Sequence, residues 1–121
     1  VLAHKWPIVH ADLVTKGLLL TFRAKSGHER DVEAFLRDAE SLVKGEPKTI
    51  AWFAMHLDDG PYGVFEVFPD NAGRLAHLAG RVSRNLAMHA LSMLGGLPDL
   101  RMVDIICSKL EPVENAVGIA E

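Results

Sequence analysis

Two residues near the middle of the chain carry the clearest capacity for chemistry, His77 in NAGRLAHLAG and Glu66 in YGVFEVF. A histidine titrates near neutral pH. In a cleft, His77 can therefore take a proton from a phenolic hydroxyl, leaving an electron-rich phenolate able to react with oxygen, or it can ligate a metal. Glu66 alternates with Tyr62, Val64 and Phe68 on a mostly apolar face. A carboxylate buried there has to be paired, hydrogen-bonded or protonated, and a raised pKa would fit it for acid–base work. Each residue also has a structural reading. At about 100° per residue, His77 falls off the stripe of Leu75 and Leu78 and beside Arg74 and Arg81, which predicts exposure. Glu66 reads otherwise as a residue making a structural hydrogen bond, or as the partner of an arginine such as Arg23 or Arg101 across a dimer, and this structural reading is the favoured one. Trp52, Tyr62, Phe22 and Phe68 are the aromatic candidates for lining a substrate pocket, with strand aromatics packed as core the alternative.

The other histidines carry less. His4 and His10 have no ligand types beside them, His56 lies next to Asp58 and Asp59, and His28 and His89 read as helix-surface or satisfied-core residues. His77 and His89 do not share a helix face, and neither an H-x-x-x-H pair nor a cysteine set is present, so no metal site is expected. Cys107, in an apolar run, reads as a small core residue rather than a nucleophile.

The elements that must position His77 and Glu66 follow from periodicity. Residues 17–25, GLLLTFRAK, alternate as a strand with Leu18, Leu20, Phe22 and Ala24 on one face. HERDVEAFLRDAESLVK places Val32, Phe35, Leu36, Ala39, Leu42 and Val43 at the three-and-four spacing of an amphipathic helix. Ser26 with Glu29 three positions on predicts a capping box at its start, and Gly45 then Pro47 a stop. KTIAWFAMHL is a strand that is apolar on both faces, DDGP is a hairpin turn, and YGVFEVF is the returning strand. A second helical region begins near Pro69 to Asn71, breaks at Gly80, and continues through Val82, Leu86, Ala90, Met93 and Leu94 to Gly95 and Gly96. RMVDIICSKL closes the pattern as a fourth strand, and the tail EPVENAVGIAE is expected to fray.

The order strand, helix, strand, strand, helix, strand predicts an α+β fold, the ferredoxin-like βαββαβ antiparallel sheet. Residues 17–111 form the expected domain, with an N-terminal extension over 1–16 and a tail over 112–121. Trp6, Ile8 and Val9 in the extension need cover, from the domain's own surface or from a partner subunit. Helices cover one sheet face only, so the second apolar face predicts a homodimer formed by two copies of the sheet.

Composition agrees with a single core-bearing domain and narrows the partners. The chain has 121 residues, 49% hydrophobic and 24% charged, with a net charge of −3. That is enough length to bury a core without disulfides. The mixed charge supplies no basic footprint for nucleic acid or an anionic membrane. A lone cysteine is compatible with a reducing compartment, and neither a membrane span nor a secretion signal is read, so a cytoplasmic location is expected.

From about Thr15 to Leu110 the sequence resembles the antibiotic biosynthesis monooxygenase family of dimeric α+β barrels. The resemblance is carried by an opening strand and amphipathic helix, the Pro47-Lys48-Thr49 turn before AWFAMHL, the acidic residue of VFEVFPD, the AHL at Ala76 to Leu78 followed by Gly80, and a last strand ending in SKL. It implies a homodimer with facing sheets and a ligand cleft in each subunit between sheet and helices. It also implies a cofactor-independent monooxygenase acting on a small hydrophobic aromatic or quinol-like compound, with His77 and Glu66 matching the family's recurrent histidine and acidic residue. The alternatives are a non-catalytic small-molecule-binding dimer, or an isomerase or haem-degrading relative. The haem-degrading branch uses an Asn on the first strand and a Trp on the helix before the histidine, and this sequence has neither.

Overall fold

A computed structural model describes residues 14–110. The expectations for the extension beyond Val14, including cover for Trp6, Ile8 and Val9 and the setting of His4 and His10, and for the tail from residue 111 lie outside the described residues. Within them the elements are β1 (Lys16–Phe22), α1 (Glu29–Val43), β2 (Ala51–His56), β3 (Tyr62–Phe68), α2 (Asn71–Leu78), α3 (Arg81–Met93) and β4 (Asp99–Asp104). The strands make one antiparallel sheet in the order β2-β3-β1-β4, the predicted ferredoxin-like arrangement.

Register decides which residues share the helix-covered face. Glu66 pairs with Leu18 on one side and Trp52 on the other, and Leu18 pairs in turn with Met102. Successive strand residues alternate between faces. Leu18, Leu20 and Phe22 therefore stand in line with Tyr62, Val64, Glu66 and Phe68 beneath the helices. Helix α1 contributes the predicted stripe, burying Val32, Leu36, Ala39 and Val43. Phe22, Val32, Leu36, Tyr62, Val64, Met93 and Leu94 pack as one cluster, and Ala39, Val43 and Val82 as a second. A fully buried aliphatic or aromatic side chain contributes about 1.5–3 kcal/mol, so these contacts dock the helices firmly on the sheet.

Three local expectations need correction. Ser26 does not cap α1. Gly27 turns the chain through a left-handed conformation (φ +86), so the helix begins after His28, which contributes no capping hydrogen bond. Its ring Nδ1 instead meets Asp31 at 2.8 Å. The fourth strand stops at Asp104 rather than running on through Cys107. Asp104 is already opposite Lys16, the first residue of β1. Beyond it one backbone bond remains, Ile105 N–H donating to Thr15 O at 2.9 Å. With no strand left to pair among the described residues, Cys107 is exposed rather than buried, and Ile106 is 96% exposed.

The outer sheet face has no cover among the described residues. Phe53 is 54%, Met55 40% and Leu57 38% exposed, and the register sets Phe53 beside Phe65 and Met55 beside Gly63. The both-sided apolar character of AWFAMHL is thus real. One of its faces meets the helices, and the other is open.

Candidate active site

Between the sheet and helices α1 and α3 lies a cavity of about 510 Å³. Leu18, Phe22, Phe35, Trp52, Val64 and Leu86 give it aromatic and aliphatic walls, and Glu66 and His77 are its ionisable residues. Of the six site residues that the sequence suggested, the structure gathers four, His77, Glu66, Trp52 and Phe22. The other two stand apart. Tyr62 lines a separate groove beside α1, where its hydroxyl donates to Glu33 at 2.9 Å and its ring stacks on His56 at 4.1 Å. Burial, then the Glu33 carboxylate, holds that hydroxyl above its usual pKa. Phe68 is fully buried behind the site, its ring 5.6 Å from that of His77.

The predicted exposure of His77 is wrong, because α2 buries an unexpected face. Its buried residues are Gly73 and His77, four apart, whereas Leu75 is 53% exposed. A Cβ on Gly73 would come within 3.1 Å of Lys48 Cβ, so glycine is what lets α2 lie against the 46–49 loop. Asp70 starts the helix by accepting a hydrogen bond from Gly73 N–H at 2.8 Å, a side-chain cap worth about 1 kcal/mol. Arg74 fixes the other side of α2 to the sheet, donating to the carbonyls of Gly17 and Val103 at 3.2 Å each. The helix thereby presents His77, 5% exposed, to the polar end of the cavity.

There the imidazole stands between two carboxylates. His77 Nε2 lies 2.9 Å from Glu66 Oε1, and Nδ1 lies 2.7 Å from Glu46 Oε1. Within the chain the contact of Glu66 is with His77, and Arg101 pairs with Asp99. Burial on its own lowers the pKa of His77, but hydrogen bonding and charge from Glu66 and then Glu46 outweigh it, and the value rises to about 9. His77 is therefore an imidazolium at neutral pH, with a carboxylate 2.7 Å from one nitrogen and 2.9 Å from the other. Glu66 is 4% exposed, and its Oε1 accepts no aligned hydrogen bond among the described residues despite the short contact. A carboxylate beside a cation at the end of an apolar cavity is equipped to receive a ligand hydroxyl.

Sequence reasoning missed Glu46. It lies between Gly45 and Pro47, a stretch legible only as a helix stop, and its relation to His77 is purely tertiary. The remaining histidines follow their structural readings. His56 stacks on Tyr62, His28 pairs with Asp31, and His89 Nδ1 meets the Asn85 carbonyl at 2.8 Å. No cluster of three metal-ligating side chains occurs among the described residues, and no helix among them is long and apolar enough to cross a membrane.

Comparison with known proteins gives a relative and a fold. A solved protein of unknown function from Nitrosomonas europaea is 33% identical, covers 84% of this chain and 99% of its own, and superposes with a TM-score of 0.81. A crystal structure of an antibiotic biosynthesis monooxygenase is 16% identical, with coverage of 75% and 98% and a TM-score of 0.67. A protein from Mycobacterium tuberculosis is 12% identical, with coverage of 78% and 97% and a TM-score of 0.72. No protein-family model and no curated protein sequence matches.

Proposed function

We propose that this chain, which belongs to one family with the Nitrosomonas europaea protein and has the fold of the antibiotic biosynthesis monooxygenases, is a cofactor-independent monooxygenase acting on a small hydroxylated aromatic compound. The observation that carries the reading is the buried Glu66–His77 pair at the polar end of an otherwise apolar cavity. An anthrone or a hydroquinone presents a flat ring to such walls and a weakly acidic proton to the carboxylate.

The roles of the two residues differ from the simplest expectation for a histidine. An imidazolium cannot accept a proton, so the base is Glu66, and His77 is its paired cation in a place where a lone carboxylate would be costly. Loss of the proton leaves an enolate or phenolate rich enough in electrons to pass one to dioxygen. The resulting radical pair combines as a carbon–oxygen bond, and the peroxide then loses water. For an anthrone the balance is one ring CH2 and O2 giving one carbonyl and H2O. The proton accepted by Glu66 returns to the departing oxygen, so the pair ends as it began.

The test is oxygen uptake by purified protein, treated with chelator, over a panel of anthrones and hydroquinones. Uptake above the uncatalysed rate, with the ring carbonyl product formed in equal amount, is expected. Uptake at the background rate over the whole panel would overturn the reading.

The open outer face supports a second part of the proposal, that two copies of the chain pair sheet to sheet. Phe53, Met55 and Leu57 would be covered by the same residues of the partner, as twofold symmetry requires of such a contact. Sedimentation at micromolar concentration should give the dimer mass, and Phe53→Lys should shift the mass toward the monomer. A wild-type chain that sediments as a monomer would end this part of the proposal while leaving the cavity chemistry to its own test.

A further inference from the structure

We infer that Glu46 is the positioning residue of this site: from outside the cavity it fixes the ring orientation and the charge of His77, and through His77 the readiness of Glu66. The inference rests on the reading of Glu66 and His77 given above, but its geometry stands separately. His77 forms a wall between two spaces. Its Nε2 edge meets Glu66 at the inner cavity, while its other edge lines an outer cleft with Glu46, Lys48, Thr49 and Arg81. No other described residue lines both spaces.

The two contacts of the ring are not equivalent. The Nδ1 contact with Glu46 is an aligned hydrogen bond of 2.7 Å, whereas Glu66 Oε1 is close to Nε2 but accepts no aligned bond. The directional restraint on the imidazole thus comes from Glu46. A half-turn of the ring would exchange both nitrogens for carbons and forfeit that bond, so Nε2 stays turned toward Glu66. Glu46 is itself held, since Thr49 Oγ1 donates to the same Oε1 at 2.8 Å. Its side chain is 23% exposed, against 4% for that of His77, so its charge costs little to maintain. Both carboxylates favour a proton on the ring, Glu66 from the cavity and then Glu46 from the solvent side, and of the two Glu46 holds the ring by an aligned bond.

The groups facing His77 from each packed element are few. Glu66 comes from β3, and Glu46, Lys48 and Thr49 from the loop before β2. Arg81 opens α3, Ser83 donates to the His77 carbonyl at 3.2 Å, and the Phe68 ring supplies the apolar contact. Of these groups it is the two carboxylates that favour the charge on His77.

The test is the titration of the His77 ring nitrogens by NMR in ligand-free protein, for the wild type, Glu46→Gln and Thr49→Val. Glu46→Gln should lower the His77 midpoint by about one pH unit or more, a tenfold loss of proton affinity. Thr49→Val should lower it by less, in the same direction, while the midpoint of His28 stays in place. The alkaline limb of oxygen uptake should move with the His77 midpoint. An unchanged His77 midpoint in folded Glu46→Gln protein overturns the assignment, and should that variant not fold, an unchanged midpoint in Thr49→Val does so. Failure of the oxygenase reading is seen separately, as absence of uptake by the wild type, and does not alter the ligand-free titration.

Discussion

Glu66→Gln protein should consume oxygen about 100-fold more slowly than the wild type or worse, the range in which a general base contributes. The substitution keeps the shape of the side chain and removes its charge, so the walls formed by Trp52, Leu18 and Val64 are undisturbed. Binding of a hydroxylated ring should fall by a much smaller factor, because the amide oxygen can still accept the hydroxyl. The loss therefore belongs in turnover rather than in KM, as expected of a group needed in the transition state. Folded Glu66→Gln protein with wild-type turnover would move the base elsewhere.

The second large effect is on stability. His77 has a folded pKa of about 9 against an ordinary 6.5. The folded state holds the proton more tightly, so the stabilisation is complete below about pH 6.5 and is lost as pH rises through about 9. The shift corresponds to a ceiling of about 3 kcal/mol, reduced by the solvent screening that reaches Glu46 from the outer cleft. Denaturant midpoints measured between these pH values should fall as pH rises. In Glu46→Gln/Glu66→Gln protein the His77 proton has no carboxylate to meet, and this part of the slope should vanish. A wild-type midpoint flat across the window, or a slope undiminished in the double variant, would contradict the arrangement.

How much of this was legible in the sequence depends on the kind of signal each residue leaves. The α1 stripe and the alternation of β1, β2 and β3 are local patterns, and the sheet order followed from them with the register unspecified. His77 was found by its type and its resemblance to a family histidine, yet its burial was misjudged. The buried face of α2 consists of Gly73 and His77, neither of which registers as hydrophobic, while exposed Leu75 does. Glu66 was correctly suspected of needing a partner, but that partner lies on a helix eleven residues further on, and no periodicity connects them. Glu46 left no local trace, because it meets His77 across 31 residues of chain, where α2 lies against the 46–49 loop. Cys107 shows the reverse error. The alternation of RMVDIICSKL continues after the neighbouring strand has ended, so a strand-like pattern remained without a strand to pair with.

The role proposed for Glu66 is that of a carboxylate at the polar end of the cavity that receives a ligand hydroxyl. The most direct measurement is calorimetric titration at pH 7 with two ligands of one ring system, 1-naphthol and 1-naphthoate. Glu66 is the carboxylate that lines the cavity, so a ligand hydroxyl can donate to it whereas a ligand carboxylate meets like charge in an apolar enclosure. The account predicts that naphthol binds and that naphthoate binds about tenfold more weakly or not at all, a difference of about 1.4 kcal/mol or more. Naphthoate binding as tightly as naphthol, or more tightly, would contradict it.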